Sequence, residues 1–560
     1  MTTTRKVAQL MTFAFHPWVI FLSAYPLLDV ATSYEPRVGY LGFAWIVTVL
    51  AALFGAAALY GKRLLAQARR EGSWFTVAMV GAWCLFIFLS ALSDTLLSDE
   101  NIFQVGCPLE RFAVEPDGGY LKDCFIGYPT RSYVLQALPA QLFGFSAVAA
   151  NLGSVLLYFP GFILFAYGLR LLTQRSRASD FISAASLALM FQATILLRVI
   201  FYHDQTSQPA SLALAFVGLV LIVLLEKNQR VLMLLLSLMV FATSMYPAVF
   251  AVLALTSLVL LWALFTRRLK QGAAPFIGMG LVVSALAFLQ TRVYRNDLRF
   301  GVSPFDSEHL GSRVQALIQF VVLQVGGNKY ADPILHVTLL VVFLLGLFGW
   351  WGRHAFVVVL WMIAVIVSGF FMGGMSPELG WYEMSGMHRS TSIYPVVCAL
   401  VAYQVAKSLD FRSIGSKGRI LALSALLIPA AISIVTFPYP KQPPLSLRMF
   451  RLVHDVVPAG ERGTPTFFAR VDFPAIGELP KHYHWMDRES SHTYFEKTCV
   501  PTEEVPKHSL IVTVEDEICV KNPPGKDYHL RAQWTYPFLA QWAPQVTTVK
   551  VYEFRPTVVP

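Results

Sequence analysis

The sequence predicts a mainly α, polytopic transmembrane helical bundle of about thirteen spans with a small C-terminal extracytoplasmic α/β domain. Three observations carry that expectation. The 560-residue chain is 56% hydrophobic and only 14% charged, with a mean hydropathy of +0.55, outside the range of soluble globular proteins. Apolar runs recur at about the 20-residue length that a hydrocarbon core of about 30 Å demands. After about residue 438 they stop, and turn-rich sequence with strand-like alternation replaces them.

The runs lie near 14–34, 40–60, 75–95, 147–169, 181–201, 209–226, 231–243, 247–266, 274–291, 335–351, 355–373, 390–407 and 419–437. The piece at 231–243 is short and meets "SMYPA" (244–248), so it forms either its own span or one broken helix with its neighbour. The N-terminal run resembles a signal peptide, but no small-residue cleavage site follows it, and it reads as a retained first helix.

Net charge is +10 and the pI about 9.2, which would suit a nucleic-acid binder. Here, however, Lys and Arg gather in short segments between apolar runs, where a membrane protein meets the cytoplasm. With Arg5 and Lys6 inside, the inside loops are 61–72, 170–179, 226–230, 266–270, 351–354 and 407–419, and each is basic. The outside segments are then 96–146, 201–208, 292–334, 374–389 and everything after about 438. Arg292, Arg295 and Arg299 run against the trend in an outside segment and suggest an anion site.

Cysteine placement is consistent with that sidedness. Cys84 and Cys398 fall within apolar runs, where a thiol is a small hydrophobe. Cys107 and Cys124 lie in the first large outside loop, Cys499 and Cys519 in the tail. Two local disulfides in an oxidising compartment are what this topology predicts; four unpaired thiols is the other reading. Neither pair has the CxxC spacing of a zinc site.

A Pro-rich junction, "TFPYPKQPPLS" (436–446), divides a membrane domain, 1–437, from an extracytoplasmic domain, 438–560. In the latter "RMFRLVHDVVP" (448–458) has helical spacing. The runs "SLIVTVEDEICV" (509–520) and "QVTTVKVYEFRP" (545–556) alternate like strands.

The polar residues collect on the outside. Asp94, Asp99 and Glu100 follow the third run in "LSDTLLSDENIFQVG" (92–106). Asp204 stands in "FYHDQTSQ" (201–208) before a later run, and His388 and Arg389 stand just before "STSIYPVVCALVAY" (390–403). Beyond the acids come a Gly-containing loop, a helix led by Pro129 and a "LFGFS" turn (142–146) into the next run. Taken singly, such groups are ordinary solvated polarity at helix ends; their combination is what points to chemistry.

This combination resembles the GT-C superfamily of membrane glycosyltransferases, in its protein O-mannosyltransferase-like and aminoarabinose transferase-like branches. The match covers roughly 90–225 and 375–410 and rests on short motifs. It departs from the usual pattern in placing two spans ahead of the span that carries the acids. The resemblance implies transfer of a sugar from a polyprenyl-phosphate donor to a hydroxyl acceptor on a glycan, lipid or protein at the extracytoplasmic face. By the same resemblance Asp99 is the base, with Glu100 as its partner and Asp204 completing an acidic site, while Asp94 lies too near the span to match. Arg389 would hold the donor phosphate, with His388, Lys329 and Arg295 as helpers. A carboxylate that takes the acceptor proton typically contributes about 10²- to 10⁴-fold, and a guanidinium suits the phosphate that leaves. Some members use a divalent metal, but an acid pair with one distant Asp is not a metal signature. The implied setting is a bacterial inner membrane, with the N-terminus cytoplasmic.

Two other classes fit a polytopic chain. A polysaccharide polymerase or ligase of envelope glycan assembly would share the outer arginines without requiring the acid pair and Pro-led helix. A transporter would set its charges at mid-membrane on broken helices.

Overall fold

The computed structural model describes residues 40–92, most of 147–191, 207–243 and 250–269, short pieces near 138–143 and 273–285, residues 394–408 and 415–436, seven strands between 466 and 554, and a few isolated positions. Two compact units result: Met1–Leu92 with Glu115–Leu135 and Leu152–Phe437, and Ser93–Val114 with Gln136–Asn151 and Pro438–Pro560.

Ten helices are described: α1 (Tyr40–Glu71), α2 (Phe75–Ala91), α3 (Ala147–Val155), α4 (Tyr158–Thr173), α5 (Ser179–Met190), α6 (Ser207–Glu226), α7 (Gln229–Thr243), α8 (Phe250–Phe265), α9 (Tyr394–Ser408) and α10 (Ser416–Thr436). They fall on nine of the thirteen expected runs; the runs at 14–34, 335–351 and 355–373 lie outside the described residues, and 274–291 is described only in pieces. Two boundaries differ from expectation. The basic stretch 61–71 is not a loop but the last three turns of α1, because Leu, Ala, Gln, Lys and Arg are all good helix formers. The run 147–169 is interrupted at Leu156–Leu157, where Pro160 has no N–H to return to the Leu156 carbonyl.

Three helical hairpins stand side by side. The α1–α2 turn centres on Gly72, whose φ of 62° lets the Ser73 N–H reach back to the Ala68 carbonyl at 3.2 Å, a left-handed helix stop. Lys227 and Asn228 make the α6–α7 turn, and Asn228 caps α7 by accepting the Arg230 N–H at 3.0 Å. Between α4 and α5 the Thr173 hydroxyl lies 2.8 Å from that of Ser179. These three turns share one end of the bundle: Arg170 pairs with Glu71, and Arg63 with Glu226 at 3.0 Å. Consequently α1, α4 and α6 run toward that end and α2, α5 and α7 away from it.

Glycine sets the spacing between α4 and α6. A Cβ on Gly218 would stand 2.5 Å from the Leu164 carbonyl carbon and 2.6 Å from the Phe165 nitrogen; Gly161 and Gly168 meet α6 at 3.0 and 3.1 Å. No side chain separates the two backbones at this crossing, the small-residue packing that membrane helices favour. On the other side Trp83 of α2 lies between Phe162 and Phe191, centroids 4.5 and 3.6 Å away. Its indole N–H is satisfied by the Leu187 carbonyl at 3.1 Å.

Among the described residues Ala44–Glu71 and Asn151–Thr173 are long and apolar enough to cross a membrane. Core helices of soluble proteins can be as long and apolar, and the two differ in burial, at 39% and 78%. More telling is the outer surface of α2, where Leu85, Phe88, Leu89 and the adjoining Leu92 are exposed at helical spacing. Ile420, Leu421 and Ile428 are likewise exposed on α10. Apolar stripes of this kind require a partner or a lipid environment.

The second unit contains a mixed sheet, in order β2 (Tyr494–Phe495), β1 (Thr466–Phe468), β4 (Leu510–Val514), β7 (Thr548–Phe554), β6 (Tyr528–Thr535), and a parallel pair of β3 (Val500–Pro501) with β5 (Val520–Lys521). β1 runs parallel to β2 and β4, whereas β7 is antiparallel to β4 and β6. Both alternating runs read from the sequence are strands, β4 with β5 and β7. The helix expected at 448–458 lies outside the described residues. The longest described strand, β6, was not foreseen, although "YHLRAQWT" (528–535) alternates apolar and polar residues; its pairing with β7 shifts register between Leu530 and Ala532. Arg531, at that irregularity, reaches Glu553 at 2.8 Å.

Candidate functional site

Every residue that the sequence nominates for chemistry lies outside the described residues: Asp99, Glu100 and Asp204, the arginines 292, 295, 299 and 389, His388 and Lys329, and all four cysteines proposed to pair, Cys107, Cys124, Cys499 and Cys519. The helix led by Pro129 is described only at Leu138–Pro139 and at Leu142–Phe143, the last two exposed. Cys84 and Cys398 are free thiols, Cys398 fully buried.

The described helices nonetheless determine where the flanking chain starts. α2 begins at the turn end of the bundle and rises about 25 Å to Ala91; α6, running the other way, begins about 30 Å from the same end, at 1.5 Å per residue. Ala91 and Ser207 therefore share the end opposite the three turns.

At the turn end lie the polar groups that sequence reading missed. Asp180, at the start of α5, accepts the Phe75 N–H at 2.8 Å, the Thr76 N–H at 3.2 Å and the Ser73 hydroxyl at 2.5 Å. It thus caps α2 from a neighbouring helix, at an N-terminus whose own cap residue, Trp74, offers no acceptor. Arg170, only 4% exposed, bridges Glu71 and Asp180, its Nε 3.9 Å from the latter. Glu226 accepts from the Tyr167 hydroxyl at 2.6 Å, the Tyr60 hydroxyl at 3.4 Å and Arg63 at 3.0 Å, and Asn228 donates to Tyr60 at 3.3 Å. Both clusters join donors and acceptors of different hairpins and hold the helices together, although the buried Nη1 of Arg170 has no hydrogen-bond partner among the described residues. One signal was available in the sequence: Arg170 interrupts "FAYGLRLL" (165–172), and a charge near the end of an apolar run needs a partner. Among the described residues no group of His, Cys, Asp or Glu could hold a metal ion.

No family model matches the chain, and no curated protein does. Solved structures do resemble it. ArnT from Cupriavidus metallidurans in the apo state is 11% identical with a TM-score of 0.44, and the same protein bound to undecaprenyl phosphate is 12% identical with a TM-score of 0.45; each match covers 85% of this chain and 97% of that one. Likeness at that score fixes neither the chemistry of this chain nor its ligands.

Proposed function

We propose that the chain is an integral membrane glycosyltransferase of GT-C type, moving a sugar from a polyprenyl-phosphate donor to a hydroxyl acceptor at the extracytoplasmic face. In this reading 1–437 is the catalytic membrane domain and 438–560 an extracytoplasmic domain. Asp99 takes the acceptor proton, Glu100 and Asp204 orient the nucleophile, and Arg389 neutralises the departing phosphate, where charge builds in the transition state. Cys107 with Cys124, and Cys499 with Cys519, form disulfides in the oxidising compartment.

One observation supports this most: the chain that leads to Asp99 leaves α2, and the chain that carries Asp204 enters α6, at the same end of the bundle. The basic turns occupy the other end. Lys and Arg favour the cytoplasmic side, so this reading puts the end where α2 finishes and α6 begins at the extracytoplasmic face. The bland alternative, acids merely solvated at a helix lip, gives no reason for Arg389 to matter. Purified wild type, Asp99→Asn, Asp204→Asn and Arg389→Ala, assayed against a panel of polyprenyl phosphosugars, decide it. Loss of transfer in all three supports the assignment. Full activity in all three sinks it, and solute flux in proteoliposomes without sugar turnover would point to a transporter.

A further inference from the structure

Among the described residues the turn end carries more positive charge than its carboxylates balance. The described helices contain three carboxylates, Glu71, Asp180 and Glu226, and each is engaged within the bundle, by Arg170, by the α2 N-terminus and by Arg63 with two tyrosines. Around them Lys62, Arg69, Arg70, Lys227, Arg230, Arg267 and Arg268 are all exposed. α8 packs on α6 and α7, and a Cβ on Gly280, in the stretch that follows α8, would meet Leu236, two turns into α7. The chain after α8 therefore returns at the level of the α6–α7 turn, bringing Arg267 and Arg268 to the same end as Lys227 and Arg230.

Backbone conformation at two of these positions is an independent observation. Lys227 and Arg267 both have φ of 55°, a left-handed geometry that costs a residue with a Cβ about 1 kcal/mol and that glycine adopts freely. Gly72 does so at the neighbouring turn. Arg267 sits in a complete helix stop, its N–H on the Leu264 carbonyl at 3.1 Å and that of Arg268 on Ala263 at 2.8 Å. The stop itself calls for glycine; a basic side chain stands there instead, twice, on one face. Beside it the Arg268 guanidinium lies 4.6 Å over the Trp262 ring, and Phe265 is 82% exposed. Trp74 is also exposed at this end.

We propose that this face, centred on Lys227, Arg230, Arg267 and Arg268, binds the phosphates of anionic phospholipids, with Phe265 and Trp262 at the acyl boundary. Cations beside exposed aromatics match a negatively charged headgroup layer above hydrocarbon, and the strained backbone is retained because it presents charge there. The inference is separate from sugar transfer and rests only on the chain's spanning a membrane.

The full chain in neutral detergent, titrated with phosphatidylglycerol or phosphatidylcholine and read by native mass spectrometry and Tm, tests it. Wild type should retain phosphatidylglycerol in preference, and Lys227→Gln with Arg267→Gln should weaken that retention roughly fivefold per charge removed. Lys227→Gly with Arg267→Gly should lose the same preference while raising Tm without lipid, because the left-handed positions are relieved. Equal retention of the two lipids by wild type, or a preference that survives both double variants, overturns the proposal.

Discussion

The carboxylates of the described helices and those proposed for catalysis are put to opposite uses. At the turn end Asp180 and Glu226 are ringed by N–H groups, hydroxyls and an arginine, and Glu71 answers the buried Arg170. Asp99, Glu100 and Asp204, by contrast, are required by the proposed mechanism to be reactive. The contrast teaches that an acid's place beside an apolar run does not reveal its role. A carboxylate that spends its lone pairs on fixed donors holds structure; one that is to take a proton must keep a lone pair for substrate.

The sharpest way to break the comparison is to neutralise one acid of each kind. Asp99→Asn should lower transfer from a polyprenyl phosphosugar by about 10²- to 10⁴-fold with Tm unchanged. Asp180→Ala should instead cost about 3–5 kcal/mol of stability, since it uncaps α2 and removes a partner of the buried Arg170. Its Tm should fall, while the fraction that folds retains its turnover. If both variants lose only Tm, or both lose only rate, the two kinds of acid do not differ as proposed.

Smaller effects sharpen the picture of what holds the ends apart. Gly218→Ala places a methyl within 2.5–2.7 Å of the α4 backbone and should cost about 1–3 kcal/mol, seen as a lower Tm in detergent. Gly55→Ala, where nothing lies within 4 Å, should be neutral or slightly stabilising, by at most about 1 kcal/mol. The least change is expected from Arg531→Ala in the sheet, whose partly exposed bridge to Glu553 should contribute at most about 1 kcal/mol. That variant should leave transfer intact.

Much of the helical order was legible because it depends on local properties. The apolar runs at 75–95, 209–226 and 419–437 each overlap the helix expected of them, and the alternating runs at 509–520 and 545–556 hold β4 and β7. Where reading failed, the cause was specific. Basic residues at 61–71 suggested a loop, yet their intrinsic preference is helical and α1 continues until Gly72 stops it. β6 alternates apolar and polar residues, but with Thr535 as its one β-branched residue it carries a weak strand signal. The candidate catalytic and phosphate-binding residues were legible only as a pattern of types along the chain, matched to a family, and they lie outside the described residues.

Sequence by itself determined the periodic and compositional features: which stretches are apolar enough to leave water, which turns are basic, and where β-branched alternation replaces long hydrophobic runs. Those depend on each residue and its near neighbours. Only the tertiary structure decided that α4 and α6 pack backbone to backbone through Gly218, that Asp180 caps a helix more than a hundred residues away, and that Glu226 joins Tyr60, Arg63 and Tyr167. Such contacts join distant parts of the chain, and partners of a charge or a glycine surface cannot be read from the residues beside it. Burial then makes the choice costly to leave unmet, because an unpaired charge in an apolar bundle has no water to turn to.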